Sequence, residues 1–276
     1  MKRLLLLTLL VLAGISLYAK TQSIALVTGT DKGVNLHLPA ALGSEYVFSG
    51  TLKGNVNGTT AYFYCIDLKH HLEYNSQYQD VQSTNSKITY ILNNYYPYKP
   101  LPYTGSLIVE KEASAIQLAI WSISDNLDIS ACVPDADGSS IKNRALAIAA
   151  DAAAHAGSIQ PFKTLVINIP AQSFTKGTPV SFTVEAYNEI GAPIPGVTVS
   201  LAVNEGNLSK TQVTTGTNGV SEVITLTAGP SFSTIITANG RVIIPGGTQY
   251  FNVADPGGKQ KLVIAAPVNA QKTVTG

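Results

Sequence analysis

Residues 112–124 read Glu112-Ala-Ser-Ala-Ile-Gln-Leu-Ala-Ile-Trp-Ser-Ile-Ser124. Ala113, Ala115, Ile116, Leu118, Ala119, Ile120, Trp121 and Ile123 leave almost no polar face, so the spacing predicts a helix buried all round. Gln117 sits at its centre. A buried primary amide has two donors and an acceptor to satisfy, and leaving them unpaired costs on the order of 1–3 kcal/mol. Two answers are open. The amide can be hydrogen-bonded to backbone or to another side chain. Alternatively, a cysteine thiol attacks its carbonyl and expels ammonia, leaving an intramolecular thioester that removes the donors and stores an electrophile.

Around this helix the first half mixes strand and helix. Tyr46 to Leu52 and Ala61 to Leu68 read as strands. The second of these alternates Tyr62, Tyr64, Ile66 and Leu68 on one face with Ala61, Phe63, Cys65 and Asp67 on the other. Ser86 to Asn94 has Ile88, Ile91 and Leu92 at helical spacing and stops ahead of Pro97. Ser139 to Ala156 is a third helix, alanine-rich, with Gly157 just past its end where a C-terminal glycine belongs.

The texture changes near Ser158 to Phe162. Both cysteines and the only Trp precede that point and ten of the thirteen Tyr fall from Tyr46 to Tyr103, whereas Thr, Val, Gly and Pro dominate after it. β-Branched runs then recur between turn signals: Leu165 to Ile169, Val180 to Tyr187, Val197 to Val203, Val220 to Thr227, Thr234 to Ala238, Gln249 to Val253 and Leu262 to Ala265. Gly191, Pro193, Pro195 and Gly196 mark one turn, and Asn218-Gly219 another of the positive-φ hairpin kind. Short strands at this spacing predict a β-sandwich.

At 276 residues the chain has room for two domains. Lys and Arg total 18 against 17 for Asp and Glu, a formal charge of +1, so no net field gathers nucleic acid. Charged residues are 13% of the chain and 45% is hydrophobic, with a mean hydropathy of +0.17. That composition excludes disorder. Part of the apolar excess is the run Leu4 to Leu12, preceded by Lys2 and Arg3 and followed by small residues near Ala19. It reads as a secretory signal peptide over 1–19 and is too short to span a bilayer. No membrane span is expected in the mature chain, and no Cys follows the apolar run to carry a lipid. Cys65 and Cys132, in an oxidising compartment, read by default as one disulfide.

Three separated motifs carry a resemblance. Tyr64-Cys65-Ile66-Asp67, then Lys87-Ile88-Thr89-Tyr90-Ile91-Leu92-Asn93-Asn94-Tyr95-Tyr96-Pro97, then Gln117-Leu118-Ala119-Ile120-Trp121 resemble the thioester domain of bacterial surface adhesins, over about 45–157. The resemblance implies a thioester between Cys65 and Gln117, with Trp121, Tyr64 and Asp67 in support. It also implies capture of an amine, a Lys above all, on a surface or matrix protein as a covalent amide. Ile116 stands where that family usually has Thr. The thioester and a Cys65–Cys132 disulfide exclude one another at Cys65. In the second half, Gly191-Ala-Pro-Ile-Pro-Gly-Val-Thr-Val-Ser-Leu201, Gly206-Asn-Leu-Ser209, Thr217-Asn-Gly-Val220 and Thr237-Ala238 resemble a group 1 bacterial immunoglobulin-like domain of the invasin type, over about 165–255.

The expectation is a multidomain exported or surface protein: signal peptide 1–19, an α+β thioester domain 20–158, an all-β immunoglobulin-like sandwich 163–266 that presents it, and a tail 267–276. Capture happens once, without turnover, so the chain is expected not to be an enzyme, with no cofactor and no metal. The alternative is a non-covalent binding or structural module with a Cys65–Cys132 disulfide. Asp67, His70, His71 and Glu73 have ligand chemistry but come from one short segment, whereas a metal site needs convergence. Leu101-Pro-Tyr-Thr-Gly105 matches a cell-wall sorting signal but lies internally, and reads as a loop.

Overall fold

The computed structural model describes residues 20–42, 45–83, 85–156, 165–169, 177–187, 191–230, 233–244 and 246–275. The segment expected to be a signal peptide, 1–19, Gly157 and the junction at 158–162 lie outside the described residues. In chain order the elements of the first half are β1 (Lys20–Gln22), β2 (Ile24–His37), β3 (Tyr46–Val56), β4 (Thr59–Cys65), β5 (Gln77–Ser83), α1 (Ser86–Asn94), α2 (Val109–Ser124), β6 (Val133–Pro134) and α3 (Gly138–His155). Those of the second are β7 (Leu165–Asn168), β8 (Pro179–Ala186), β9 (Thr198–Val203), β10 (Asn207–Leu208), β11 (Gln212–Thr214), β12 (Ile224–Thr227), β13 (Ile236–Ile244), β14 (Thr248–Asn252), β15 (Leu262–Ile264) and β16 (Val268–Thr275).

One sheet runs β3-β4-β15-β14-β5-β2-β6, and β2 pairs again with β3, so six strands close into a barrel with β6 appended. Its interior is filled by alternate residues: Ala25 and Val27 from β2, Leu52 and Val56 from β3, Ala61 and Phe63 from β4, Tyr78, Tyr250, Leu262 and Ile264. The other face of β4 and β15 carries Tyr64 and Val263 into a second core, shared with α1, α2 and α3. Leu262-Val263-Ile264 is buried throughout because both its faces are covered. Within β2–β3 the backbones approach closely: a Cβ on Gly54 would stand 2.1 Å from the Leu26 carbonyl oxygen. Gly54→Ala is expected to cost about 1–3 kcal/mol, the range for overpacking. Thermal denaturation measures it, and a cost near zero would mean that β2 yields.

The second half is a sandwich of two sheets, β1-β16-β13-β9-β11 and β10-β12-β8-β7, over a common core that includes Phe182, Val184, Val199, Leu201, Leu226 and Ala238. Here the structure departs from the expected boundaries. β14 and β15, read from sequence as sandwich strands, are barrel strands, and β15 lies directly against β4. The expected tail is strand β16, paired along its length with β13. β1 belongs to the sandwich, antiparallel to β16, although β2 one residue later is in the barrel. At the Asn218-Gly219 turn only Gly219 takes a positive φ, of 73°.

The helices fall close to expectation. α1 is capped by the Asn85 side chain, which accepts from the Lys87 N–H at 2.9 Å. α2 begins earlier than expected, at Val109, and Glu112 through Trp121 are all buried. The long β2 and the polar β5 are additions that the sequence reading lacks.

Candidate functional site

Cys65 ends β4. Phe63, two residues earlier, is the last β4 residue paired with Leu52 of β3, so on that side Cys65 has no neighbouring strand. On the other side Leu262 lies opposite it, and the Ile66 N–H donates to the Lys261 carbonyl at 3.0 Å. A buried strand end with an unpaired N–H and C=O is costly. The Gln117 carboxamide fills the gap as a further strand would: Oε1 accepts the Cys65 N–H at 2.9 Å, and Nε2 donates to the Cys65 carbonyl at 2.8 Å. The amide at the centre of the all-apolar helix is thus answered by backbone, and the backbone is that of Cys65.

The thiol of Cys65 donates to the Asp67 carbonyl at 3.1 Å and receives the Asp67 N–H at 3.3 Å. Burial pushes its pKa up to about 12. The indole N–H of Trp121 lowers it somewhat. That N–H is buried and reaches no atom at hydrogen-bond geometry. The strand alternation placed Cys65 on the face of Phe63. In the structure Cys65 packs instead in the helix-side core with Tyr64 and Trp121, while Phe63 faces the barrel interior. β4 ends at Cys65, and the thiol is tied to the backbone of Asp67 beyond the strand's regular pattern.

A cleft of about 190 Å³ opens on this pair. Cys65, Gln117 and Trp121 are among its buried lining, and Glu45, His71 and Tyr74 are exposed at its edge. It is smaller than the ~300–1,000 Å³ of typical small-molecule pockets and suits one extended side chain. Trp121 is 2% exposed and shares the cleft with Gln117 one turn away. Asp67 is buried; its Oδ2 stands 2.8 Å from His70 Nδ1 and 3.8 Å from Lys261 Nζ. Gln260, in the segment joining β14 to β15, lines the cleft and donates to the Asp67 carbonyl at 3.0 Å. Sequence reasoning missed Gln260 and Lys261 because their segment was assigned to the other half. Tyr64 is not a cleft residue: it is fully buried, and its hydroxyl donates to the Tyr96 carbonyl at 3.2 Å. Ile116 is fully buried in the helix-side core, so no hydroxyl stands at that position.

Cys65 and Cys132 are not joined to one another by a disulfide. Cys132 is buried, with its thiol donating to the Asp128 carbonyl at 3.5 Å and its pKa raised to about 11 by burial. Among the described residues there is no cluster of three metal-ligating side chains, and no helix is long and apolar enough to cross a membrane.

Residues 62–155 match the family model of the thioester domain. No curated protein shows significant sequence similarity to the chain. Among solved structures, the chain is similar to the thioester domain of the Enterococcus faecium TIE86 protein, at 15% identity and a TM-score of 0.46, covering 93% of this chain and 94% of that one. It is also similar to the Bacillus anthracis TIE protein (11% identity, TM-score 0.45, 91% of this chain but only 47% of that one). A third similarity is to the thioester domain of the Staphylococcus aureus TIE protein (15%, 0.37, 92% and 97%). All three TM-scores lie below 0.5, so the assignment rests on the family match. The chain therefore carries a thioester domain, over residues 62–155.

Proposed function

We propose that Cys65 and Gln117 join as an internal thioester and that the protein uses it once, at the surface of the exporting cell, to capture an amine on a partner protein as an amide. The observation that carries this reading is the two-point contact between the Gln117 carboxamide and Cys65, at the base of a side-chain-sized cleft within the family match. In forming the bond, Sγ attacks Gln117 Cδ, the developing charge on Oε1 faces the Cys65 N–H that it already accepts, and Nε2 leaves as ammonia. In capture, an amine nitrogen adds to the same carbon and the Cys65 sulfur departs, taking a proton. Cys65 and Gln117 are 4% and 1% exposed, which keeps stray water from the bond. The sandwich carries the barrel as an immunoglobulin-like support. Asp67 and Gln260 position the sulfur through the Asp67 carbonyl.

The rival reading, a non-covalent surface module, draws on one observation: the Gln117 amide is already satisfied by hydrogen bonds. Intact mass decides between them. Purified protein is expected to show the loss of one ammonia, absent from Cys65→Ala and Gln117→Ala, and to take up methylamine. Full sequence mass, with Cys65 open to alkylation after unfolding, refutes the thioester.

A pH dependence follows. Only the uncharged amine is a nucleophile, and a Lys amine titrates near 10.4, so its reactive fraction rises about tenfold per pH unit below that value. Capture of a lysine peptide is expected to accelerate by that factor per unit from about pH 6 to pH 8, followed by mass spectrometry. A flat profile over the same range would contradict rate control by the free amine.

A further inference from the structure

The sandwich and the barrel meet at a buried ion pair that the thioester chemistry does not use. The inward positions of β16 are Val268, Ala270, Lys272 and Val274, all buried. Lys272 interrupts an otherwise apolar row. On β5 the pattern is inverted in the same way: Tyr78 and Asp80 are buried, while Val81 is 48% exposed. The Lys272 and Asp80 side chains are only 9% and 2% exposed, and Nζ stands 3.4 Å from Oδ2. Apolar residues at two such positions generally serve stability as well as or better than a buried pair, because desolvation offsets the attraction. Stability is therefore a weak account of why both are charged.

The surroundings suit a different chemistry. The other carboxylate oxygen of Asp80, Oδ1, accepts the backbone N–H of Ser23, and the Ser23 hydroxyl lies 2.6 Å from the Tyr250 hydroxyl. Burial raises the Asp80 pKa and lowers that of Lys272, each shift opposed by the attraction of the partner. Both groups are thus moved toward their uncharged forms, the forms that condense. Two reactants held at this separation by strands of two different sheets have the high effective concentration that makes an otherwise slow condensation accessible.

We propose that Asp80 and Lys272 form an intramolecular isopeptide bond that ties the barrel strand β5 to the sandwich strand β16. The neutral Lys272 Nζ adds to Cγ of the protonated Asp80 carboxyl, and the charge developing on Oδ1 faces the Ser23 N–H. A proton passes from nitrogen to Oδ2, which leaves as water, and a Cγ–Nζ amide remains. Amine and acid give amide and water, with no oxidant or other reactant. The bond does not depend on the thioester, and it adds a side-chain cross-link to the chain crossings and hydrogen bonds that join the two halves.

The full mature chain carrying Cys65→Ala removes any ammonia loss at the other site, so the two condensations are read separately. Its intact mass under denaturing conditions is expected to be lighter than the sequence by one water. Trypsin should yield the fragments spanning 70–87 and 262–276 joined to one another, with no cleavage after Lys272. Lys272→Met in the same background should restore the full mass. Full sequence mass in the Cys65→Ala protein, with cleavage after Lys272 and separate peptides, overturns the proposal whether or not the Lys272→Met protein folds.

Discussion

Cys65→Ala and Gln117→Ala are each expected to abolish amine uptake completely, with no adduct detectable by intact mass after exposure to methylamine, while Cys132→Ala leaves uptake unchanged. The cleft geometry makes the first two absolute, since one supplies the sulfur and the other the acyl carbon. Cys132 is not in the cleft, and its thiol is occupied with the Asp128 carbonyl. The two null variants differ in a second measurement. Gln117→Ala strips the strand-completing amide from Cys65 and leaves a buried N–H and C=O unpaired, at about 1–3 kcal/mol for each. Cys65→Ala keeps the free Gln117 carboxamide and with it both bonds. Uptake is thus expected to vanish in both, and Gln117→Ala to melt clearly below Cys65→Ala. Adduct formation on the Cys65→Ala protein would remove the thiol from the chemistry.

The largest stability effect is expected at Arg144. Glu112, fully buried in the first turns of α2, receives Arg144 Nη2 at 2.8 Å and Nε at 3.1 Å, the Tyr103 hydroxyl at 2.7 Å and the Leu107 N–H at 2.9 Å. The guanidinium in turn lies 5.4 and 5.7 Å from the Tyr95 and Tyr103 rings. Arg144→Ala leaves a carboxylate with no counter-charge in the core between α2 and α3, and breaking a buried pair in this way costs about 3–5 kcal/mol. Arg144→Lys restores a charge without the forked geometry and should recover part of the loss. Chemical denaturation of the two variants beside the parent measures both. A loss below about 1 kcal/mol for Arg144→Ala would mean that Tyr103 and Leu107 suffice to hold Glu112. Because α2 carries Gln117, a loosened Arg144→Ala protein should also form less thioester.

What the sequence disclosed followed from local signals. The apolar run around Gln117 fixes a buried helix, because no solvent face is left, and the thioester motifs single out Cys65 and Gln117, which the fold brings into contact. The strand alternation misplaced the Cys65 side chain because regular pleating stops where the thiol bonds its own turn at Asp67. β14 and β15 were visible as strands, but a short apolar run records that it is buried and not which sheet it joins. Lys272 and Asp80 were passed over for a related reason: each is one charge in a plausible strand, and only the tertiary pairing shows both facing inward. Glu112 was visible only as a polar residue at a helix start, and its partner lies on another helix, 32 residues on.

The excursion of β14 and β15 sets the order in which the site can be assembled. Between β4 and β5 the barrel wall stays open until residues 248–264 are in place, far later in the chain than α2. Gln260 and the strand that flanks Cys65 arrive with that late segment. Synthesis from the N-terminus therefore supplies the Cys65 sulfur and the Gln117 carboxamide long before their housing is finished, and the cleft is complete only once the late strands have docked into the barrel wall.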